Sequence, residues 1–254
     1  MSTTSSPALI VHFPEADSTT QDREWCEVES GGVSQRIRFH DYHEIYAVPG
    51  LYEKIFYDHL ECGSPGEVVG LLAEHVEAAG IDPSTLSGID VGAGNGLVGV
   101  ELRKLGAGTL IGVDIIPEAE MAADRDRPEI YDDYRTCDLT DLSDDDRRAI
   151  CAIRPNTLTC VAALGFDDIP PAAFAQAYEL LEDDAWIAFN VKADFLAHGD
   201  ETGFRRMIIQ MLDNGSLEEL GRRQYVHRLA MDGTPLEYVA LVGRKRGPVP
   251  DGWL

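Results

Sequence analysis

From Leu86 onward the chain alternates between two patterns of apolar and polar positions. Short apolar runs suited to buried strands take turns with stretches whose apolar residues recur at helical spacing. Ser87–Val91, Thr109–Val113, Leu158–Leu164 and Trp186–Val191 predict strands, with a short one at Tyr134–Cys137. Leu97–Leu105, a segment opening at Pro117, Ser143–Ile150, Pro171–Leu181 and Phe204–Leu212 predict the intervening helices. This order is that of a parallel sheet covered on both faces. Its end is different: Gln224–Ala230 and Leu236–Gly243 flank an Asp232-Gly233 turn signal, which predicts a closing antiparallel hairpin.

The first 62 residues follow another pattern. Ala8–Val11 is a short apolar run, and Glu24–Val28 and Val33–Phe39 alternate around Ser30-Gly31-Gly32, predicting a hairpin. Residues 40–62 are dense in aromatics (Tyr42, Tyr46, Tyr52, Phe56, Tyr57), with His40, His43 and His59 among them. They predict one or two short helices broken at Val48-Pro49-Gly50. Ser64-Pro65-Gly66-Glu67 has the form of a capping box, opening a helix with Val68, Val69, Leu71, Leu72 and Val76 on one side and a stop near Gly80. The expected organisation is a β-hairpin and helical cap over 1–62, a main α/β domain over 63–246 and a tail over 247–254.

Composition narrows the setting. At 254 residues and 44% hydrophobic, the chain can bury one sizeable core plus an appendage. No stretch approaches a membrane span and the N-terminus lacks a secretory pattern, so the expectation is a cytoplasmic protein with no membrane partner. Five cysteines without a CxxC pair predict free thiols rather than disulfides or zinc. A net charge of −24, with four lysines against seventeen arginines, argues against a nucleic-acid partner.

The candidate chemistry begins at Gly88–Leu97. Glycines at 92, 94 and 96 remove Cβ atoms where a strand turns sharply into a helix and a ligand must come close. Asp114, at the end of the next strand and about 20 residues beyond the turn, is placed to take both hydroxyls of a ribose. Gly94, Gly96 and Gly99 formally satisfy a GxGxxG dinucleotide motif, but the strand ends at Val91, so the register is wrong for it. Asp90, just before the turn, suits an ammonium group and would repel a pyrophosphate.

Ile89–Gly96 resembles motif I of the class I S-adenosylmethionine-dependent methyltransferases, and Asp114 their acidic ribose position. The resemblance runs over roughly residues 66–245, including the terminal hairpin. It implies a doubly wound, mostly parallel seven-stranded sheet with a small N-terminal β/helical appendage, and makes 63–246 the domain that binds S-adenosylmethionine. It would set Asp90, Gly92, Ala93, Gly94 and Gly96 around the methionine end, and Asp114 on the ribose with Ile115 against the adenine. Asp138 would accept from the adenine amino group beside Leu139. Ala163, Leu164 and Gly165 would run beneath the transferable methyl.

The acceptor is less constrained. Methyl transfer is an in-line displacement in which the protein supplies alignment, and a base is needed only for a protonated nucleophile. Leu164-Gly-Phe-Asp-Asp-Ile-Pro-Pro171 stands where adenine- and cytosine-N-methylating enzymes of the family carry an (Asn/Asp)-Pro-Pro-(Tyr/Phe) box. That departure, with the charge of −24, argues against DNA methylation, and the expected acceptor is a small molecule. Tyr46, Tyr52 and His59 are the catalytic candidates, with Tyr57, His43, His198 and His227 behind them; each is also readable as packing or surface. Asp167 and Asp168 are read as solvated loop acids rather than metal ligands, so no metal is expected. The N-terminal hairpin either covers the acceptor site or makes a homodimer contact. Two other functions stay open: a non-catalytic S-adenosylmethionine-binding regulatory protein and an NAD-dependent oxidoreductase.

Overall fold

The computed structural model describes residues 9–14, 23–30, 32–164, 169–193 and 203–253. The expected features at Gly31, Gly165, Asp167, Asp168 and His198 lie outside the described residues. The main sheet consists of β4 (Ser87–Val91), β5 (Thr109–Asp114), β6 (Asp133–Thr136), β7 (Thr157–Cys160), β8 (Trp186–Lys192), β9 (Leu217–Leu229) and β10 (Pro235–Lys245). Their order is β6-β5-β4-β7-β8-β10-β9, parallel up to β8 and antiparallel from β10 on. The order reverses between β4 and β7, so a crevice opens at the carboxyl ends of these two strands.

Successive strand residues enter opposite layers, as the period of two requires. Ile111, Ile187, Phe189 and Leu241 pack with Phe174 and Tyr178 of α7 (Pro171–Glu179) and with Phe204, Met207 and Met211 of α8 (Phe204–Asp213). Leu110, Trp186, Ala188, Ala240 and Val242 pack instead with Val68 and Leu72 of α3 (Ser64–Ala78) and with Val98 and Leu102 of α4 (Leu97–Leu105). Two further helices, α5 (Pro117–Asp126) and α6 (Asp144–Ala152), complete the crossovers. Ser143 caps α6 by accepting from the Asp146 N–H, which suits the acidic first turn. Among the described residues, no helix is long and apolar enough to cross a membrane.

The N-terminal layer is a second small sheet. Here β2 (Trp25–Ser30) pairs with β3 (Val33–Arg38), and β1 (Ile10–His12) adds a third strand that the expected hairpin lacked. Two short helices follow: α1 (Tyr42–Ala47) and α2, which is α-helical over Leu51–Glu53 and then π-helical over Lys54–His59. Cys26, Val28, Ile37 and Phe39 of the sheet pack on Ile45, Leu51, Ile55 and Leu60 of these helices, forming a core of their own.

This layer is stitched to the terminal hairpin. The Leu229 N–H donates to the Leu60 carbonyl at 2.7 Å and the Gly63 N–H to that of His227 at 3.0 Å. The buried Glu24 and Arg228 form an ion pair at 2.6 Å.

Two expectations change. The capping box at Ser64 does not form: Gly63 precedes the helix and no side chain caps it. Ser64 is fully buried, and its hydroxyl is engaged by Tyr225 and His227 instead. The strand expected to reach Leu164 stops at Cys160, because Ala162 turns to a φ of +57°.

Candidate active site

A cavity of about 340 Å³ opens at the crevice. Its floor comes from strand ends: Val91 and Gly92 after β4, Val113–Ile116 after β5, Cys137–Thr140 after β6 and Val161–Ala163 after β7. Ile169, Pro170 and Ala173 form one side. The roof is His40, Tyr42, Tyr46 and Tyr52 of the N-terminal layer. The rings of Tyr42, Tyr46, Tyr52 and Phe56 follow one another at centroid distances of 6.1, 5.2 and 4.7 Å. Their close packing gives this lid a rigid apolar underside.

The glycine turn is held from both sides. The Gly92 and Ala93 N–H groups donate to the Val113 carbonyl, and the Gly94 N–H donates to Asp114 Oδ2 at 3.0 Å. The Tyr134 hydroxyl donates to the Gly94 carbonyl at 2.8 Å. Gly94 has a φ of +53°, and a Cβ there would run into the Tyr46 hydroxyl. The lid therefore rests directly on the turn. Gly94→Ala should combine backbone strain with a displaced Tyr46 and weaken binding of a nucleotide-like ligand by about tenfold, a value titration calorimetry would give. Wild-type affinity in this variant would contradict the contact.

Gly99 has a different purpose from the third glycine of a dinucleotide motif. A Cβ there would lie 2.8 Å from the Tyr131 ring, so the missing side chain makes room for that tyrosine. The Tyr131 hydroxyl donates to Asp90 at 2.6 Å, and the Thr159 hydroxyl donates to the other oxygen at 2.7 Å. Asp90 is buried, which pushes its carboxyl up to about 6 despite these two bonds.

Asp114 is the acid that faces the cavity. Its Oδ1 accepts from the Ile116 N–H at 3.0 Å while Oδ2 accepts from Gly94. Burial raises its carboxyl, and the backbone donors pull it back. Ile115 beside it lines the cavity yet is 60% exposed. Asp138 also lines the cavity, and Thr140 holds its Oδ1 through both N–H and hydroxyl, keeping its carboxyl below the usual range.

The structure thus gathers Gly92, Asp114, Ile115, Asp138, Leu139 and Ala163 around one cavity, together with Tyr46 and Tyr52. The walls do not include Asp90, Ala93, Gly94, Gly96 or Leu164. Leu164 is buried in the core, and a Cβ on Gly96 would meet Ile130 rather than the cavity. His59 stacks on Phe13 at 3.5 Å, outside the cavity walls. The exposed His43 lies 3.9 Å from Glu44. Tyr131, Tyr134 and Thr159 escaped the sequence reading. Tyr131 just before β6 and Tyr134 within it, set against Gly99 and Gly112, were the available signal.

Behind the lid is a second cavity of about 30 Å³, lined in part by Cys62, Ala162, His227 and Arg228. That is room for about one water. His227 is buried, and burial pushes its imidazole down from 6.5 to about 3, so it is neutral at physiological pH. Between these values the unfolded chain binds a proton that the native one excludes. The stability from this group is therefore present above 6.5 and lost as pH falls toward 3, by up to about 5 kcal/mol. Asp90 works in the opposite sense, since its raised value favours the folded state at low pH and the benefit fades as pH rises from 3.8 to 6. His227→Gln should flatten the acid limb of urea-unfolding stability between pH 6.5 and 4.5, and an unchanged limb would contradict the assignment.

Residues 68–231 match a family model described as a methyltransferase domain. No curated protein sequence matches the chain. Among solved structures, N-methyltransferase NodS from Bradyrhizobium japonicum, in complex with S-adenosyl-l-homocysteine, is 13% identical. The match covers 82% of this chain and 98% of that one at a TM-score of 0.54. An S-adenosylmethionine-dependent methyltransferase from Clostridium acetobutylicum is 10% identical over 78% and 97% of the two chains, at 0.53. A putative RNA methyltransferase from Pyrococcus horikoshii is 16% identical over 73% and 88%, also at 0.53. At these identities the likeness is one of fold.

Proposed function

The chain belongs to the methyltransferase-domain family; from that premise we propose that it takes S-adenosylmethionine as methyl donor and methylates a small-molecule acceptor beneath the tyrosine lid. The observation that carries the acceptor class is the roof itself. Tyr42, Tyr46 and Tyr52 bound the cavity on the lid side, and Tyr46 rests on the glycine turn, so about 340 Å³ lined by aromatic rings and strand ends is left for the reactants, a volume on the small-molecule scale. The charge supports it. A polyanion needs free cations near the mouth, whereas Arg125 and Arg127, beside the lid, are paired with Asp126 and Glu53.

The residues present fit the donor. Both Asp114 oxygens accept a backbone N–H yet keep lone pairs for the two ribose hydroxyls. Ile115 offers an exposed apolar face to the adenine, Asp138 keeps Oδ2 for its amino group, and Leu139 adds its backbone. Of the Gly92–Gly96 turn and the Ala163–Leu164 segment, Gly92 and Ala163 line the cavity and are assigned to the methionine end. Bound there, S-adenosylmethionine supplies a methyl group on a sulfonium for in-line displacement. The protein's part is to orient both reactants and to exclude water with the lid. Tyr46 and Tyr52, with hydroxyls raised by burial, stay protonated and serve as hydrogen-bond donors rather than bases.

Titration calorimetry with S-adenosylhomocysteine and with NADH tests the donor, with micromolar binding expected for the first only. Tritium transfer from methyl-labelled S-adenosylmethionine into fractionated cell extract then tests the acceptor. Label in the low-mass fraction is expected; label confined to RNA or protein, or none at all, would overturn the reading.

A further inference from the structure

The two cavities meet at a residue with an uncommon backbone. Ala162 lines both, and its φ of +57° lies in the left-handed region that a Cβ disfavours. One side chain holds it there: its N–H donates to Asn190 Oδ1 at 2.7 Å. Asn190 comes from β8 and is fully buried. Because a backbone N–H can only donate, the amide orientation is fixed, and Nδ2 faces Tyr225 Oη at 2.7 Å and Ser64 Oγ at 3.2 Å.

Proton counting carries the chain further. Tyr225 accepts from Nδ2 and gives its own proton to Ser64 Oγ at 2.7 Å. Ser64, now accepting twice, gives its proton to His227 Nδ1 at 2.6 Å. This leaves His227 as the Nε2–H tautomer. Cys62 Sγ also lies 3.8 Å from His227 Nδ1, so the junction is one connected, buried polar network. It joins the cavity wall, the terminal hairpin and the first turn of α3, where the chain leaves the lid.

We infer that Asn190 is a positioning residue for the transfer site: it holds the Ala162 turn in the cavity wall and ties that turn to the exit of the lid at Ser64. The inference rests on the assignment of the large cavity to S-adenosylmethionine. Without Asn190, the Ala162 N–H loses its buried acceptor and the turn has no reason to keep its left-handed φ. Relaxation would move the Ala162–Ala163 peptide that the cofactor packs against.

A double-mutant cycle separates this from general damage to the core. Asn190→Ala should weaken S-adenosylhomocysteine binding about tenfold by calorimetry. In a chain already carrying Ala162→Gly, where the left-handed turn needs no support, the same substitution should weaken it by less than about threefold. An equal loss in both backgrounds overturns the proposal. Asn190→Asp keeps the volume and the acceptor, so it is read if Asn190→Ala does not fold. Affinity within about threefold of wild type supports the proposal, and a tenfold loss from a cooperatively folded Asn190→Asp overturns it. Hydrogen exchange of the Ala162 amide, without cofactor, reports the bond directly. It should be protected in wild type and in Asn190→Asp, and an unprotected wild-type amide overturns the proposal. Protection without any S-adenosylhomocysteine binding would instead count against the donor assignment.

Discussion

Asp114→Ala lowers the affinity for S-adenosylhomocysteine by about a hundredfold to a thousandfold. The size follows from what one carboxylate does twice. Its oxygens accept from Gly94 and Ile116 at 3.0 Å each, fixing the glycine turn and the start of the segment leading to α5. In the reading proposed above, the same oxygens also accept the ribose hydroxyls. Hydrogen bonds to a charged group contribute about 1.5–3 kcal/mol apiece, so losing two ligand contacts near the lower end of that range removes roughly 3–4 kcal/mol. Asp114→Asn should fall between, because its amide nitrogen turns a donor toward groups that also donate. Calorimetry at pH 7.5 gives both values. A loss below about tenfold for Asp114→Ala would place the ribose elsewhere.

Glu24→Gln lowers the melting temperature by about 10 °C. The Glu24 and Arg228 side chains are 1% and 5% exposed and sit 2.6 Å apart. Glu24 also accepts from the Met231 N–H at 2.9 Å, and Arg228 donates to the Leu229 carbonyl at 2.8 Å. Breaking one partner of such a pair strands the other charge away from water, at about 3–5 kcal/mol. For a domain of this size each kcal/mol moves the transition by roughly 2–4 °C. Joint replacement by Glu24→Leu and Arg228→Met should recover much of the loss, since no charge is then left buried. Differential scanning calorimetry decides it. A shift under 2 °C for Glu24→Gln would show that water reaches the pair.

What could be read from the sequence was mostly local. The glycine turn and the acid at the end of β5 are fixed by chain geometry within one strand–turn–helix–strand unit, so their pattern survives in one dimension. The tyrosine lid was visible as a cluster, although its contact with Gly94 was not. Asp90 was read as a cofactor ligand from its place before the turn, but its carboxylate is engaged by Tyr131 and Thr159, both distant in sequence. Ser64 shows the same limit in reverse. Its Ser-Pro-Gly-Glu context predicts a helix cap, and tertiary burial redirected the hydroxyl to Tyr225 and His227. Pattern reports what neighbours along the chain prefer, and these sites were settled by partners across it.

The stitching of the N-terminal layer to the terminal hairpin also sets a timetable for synthesis. Glu24 and Arg228 are separated by 204 residues. At about 5–20 residues per second, roughly 10–40 s pass between the ribosome adding the first and the second. Throughout that interval the N-terminal layer lacks β9, the strand that accepts Glu24 and closes on Leu60 and Gly63. Its buried acid has no counter-charge, and its contacts with β9 all have high sequence separation, which slows docking. The nascent protein thus carries an unfinished lid until β9 has been made. A chain released short of β9 would keep Tyr46 against the glycine turn and α5, but would leave Glu24 buried without Arg228.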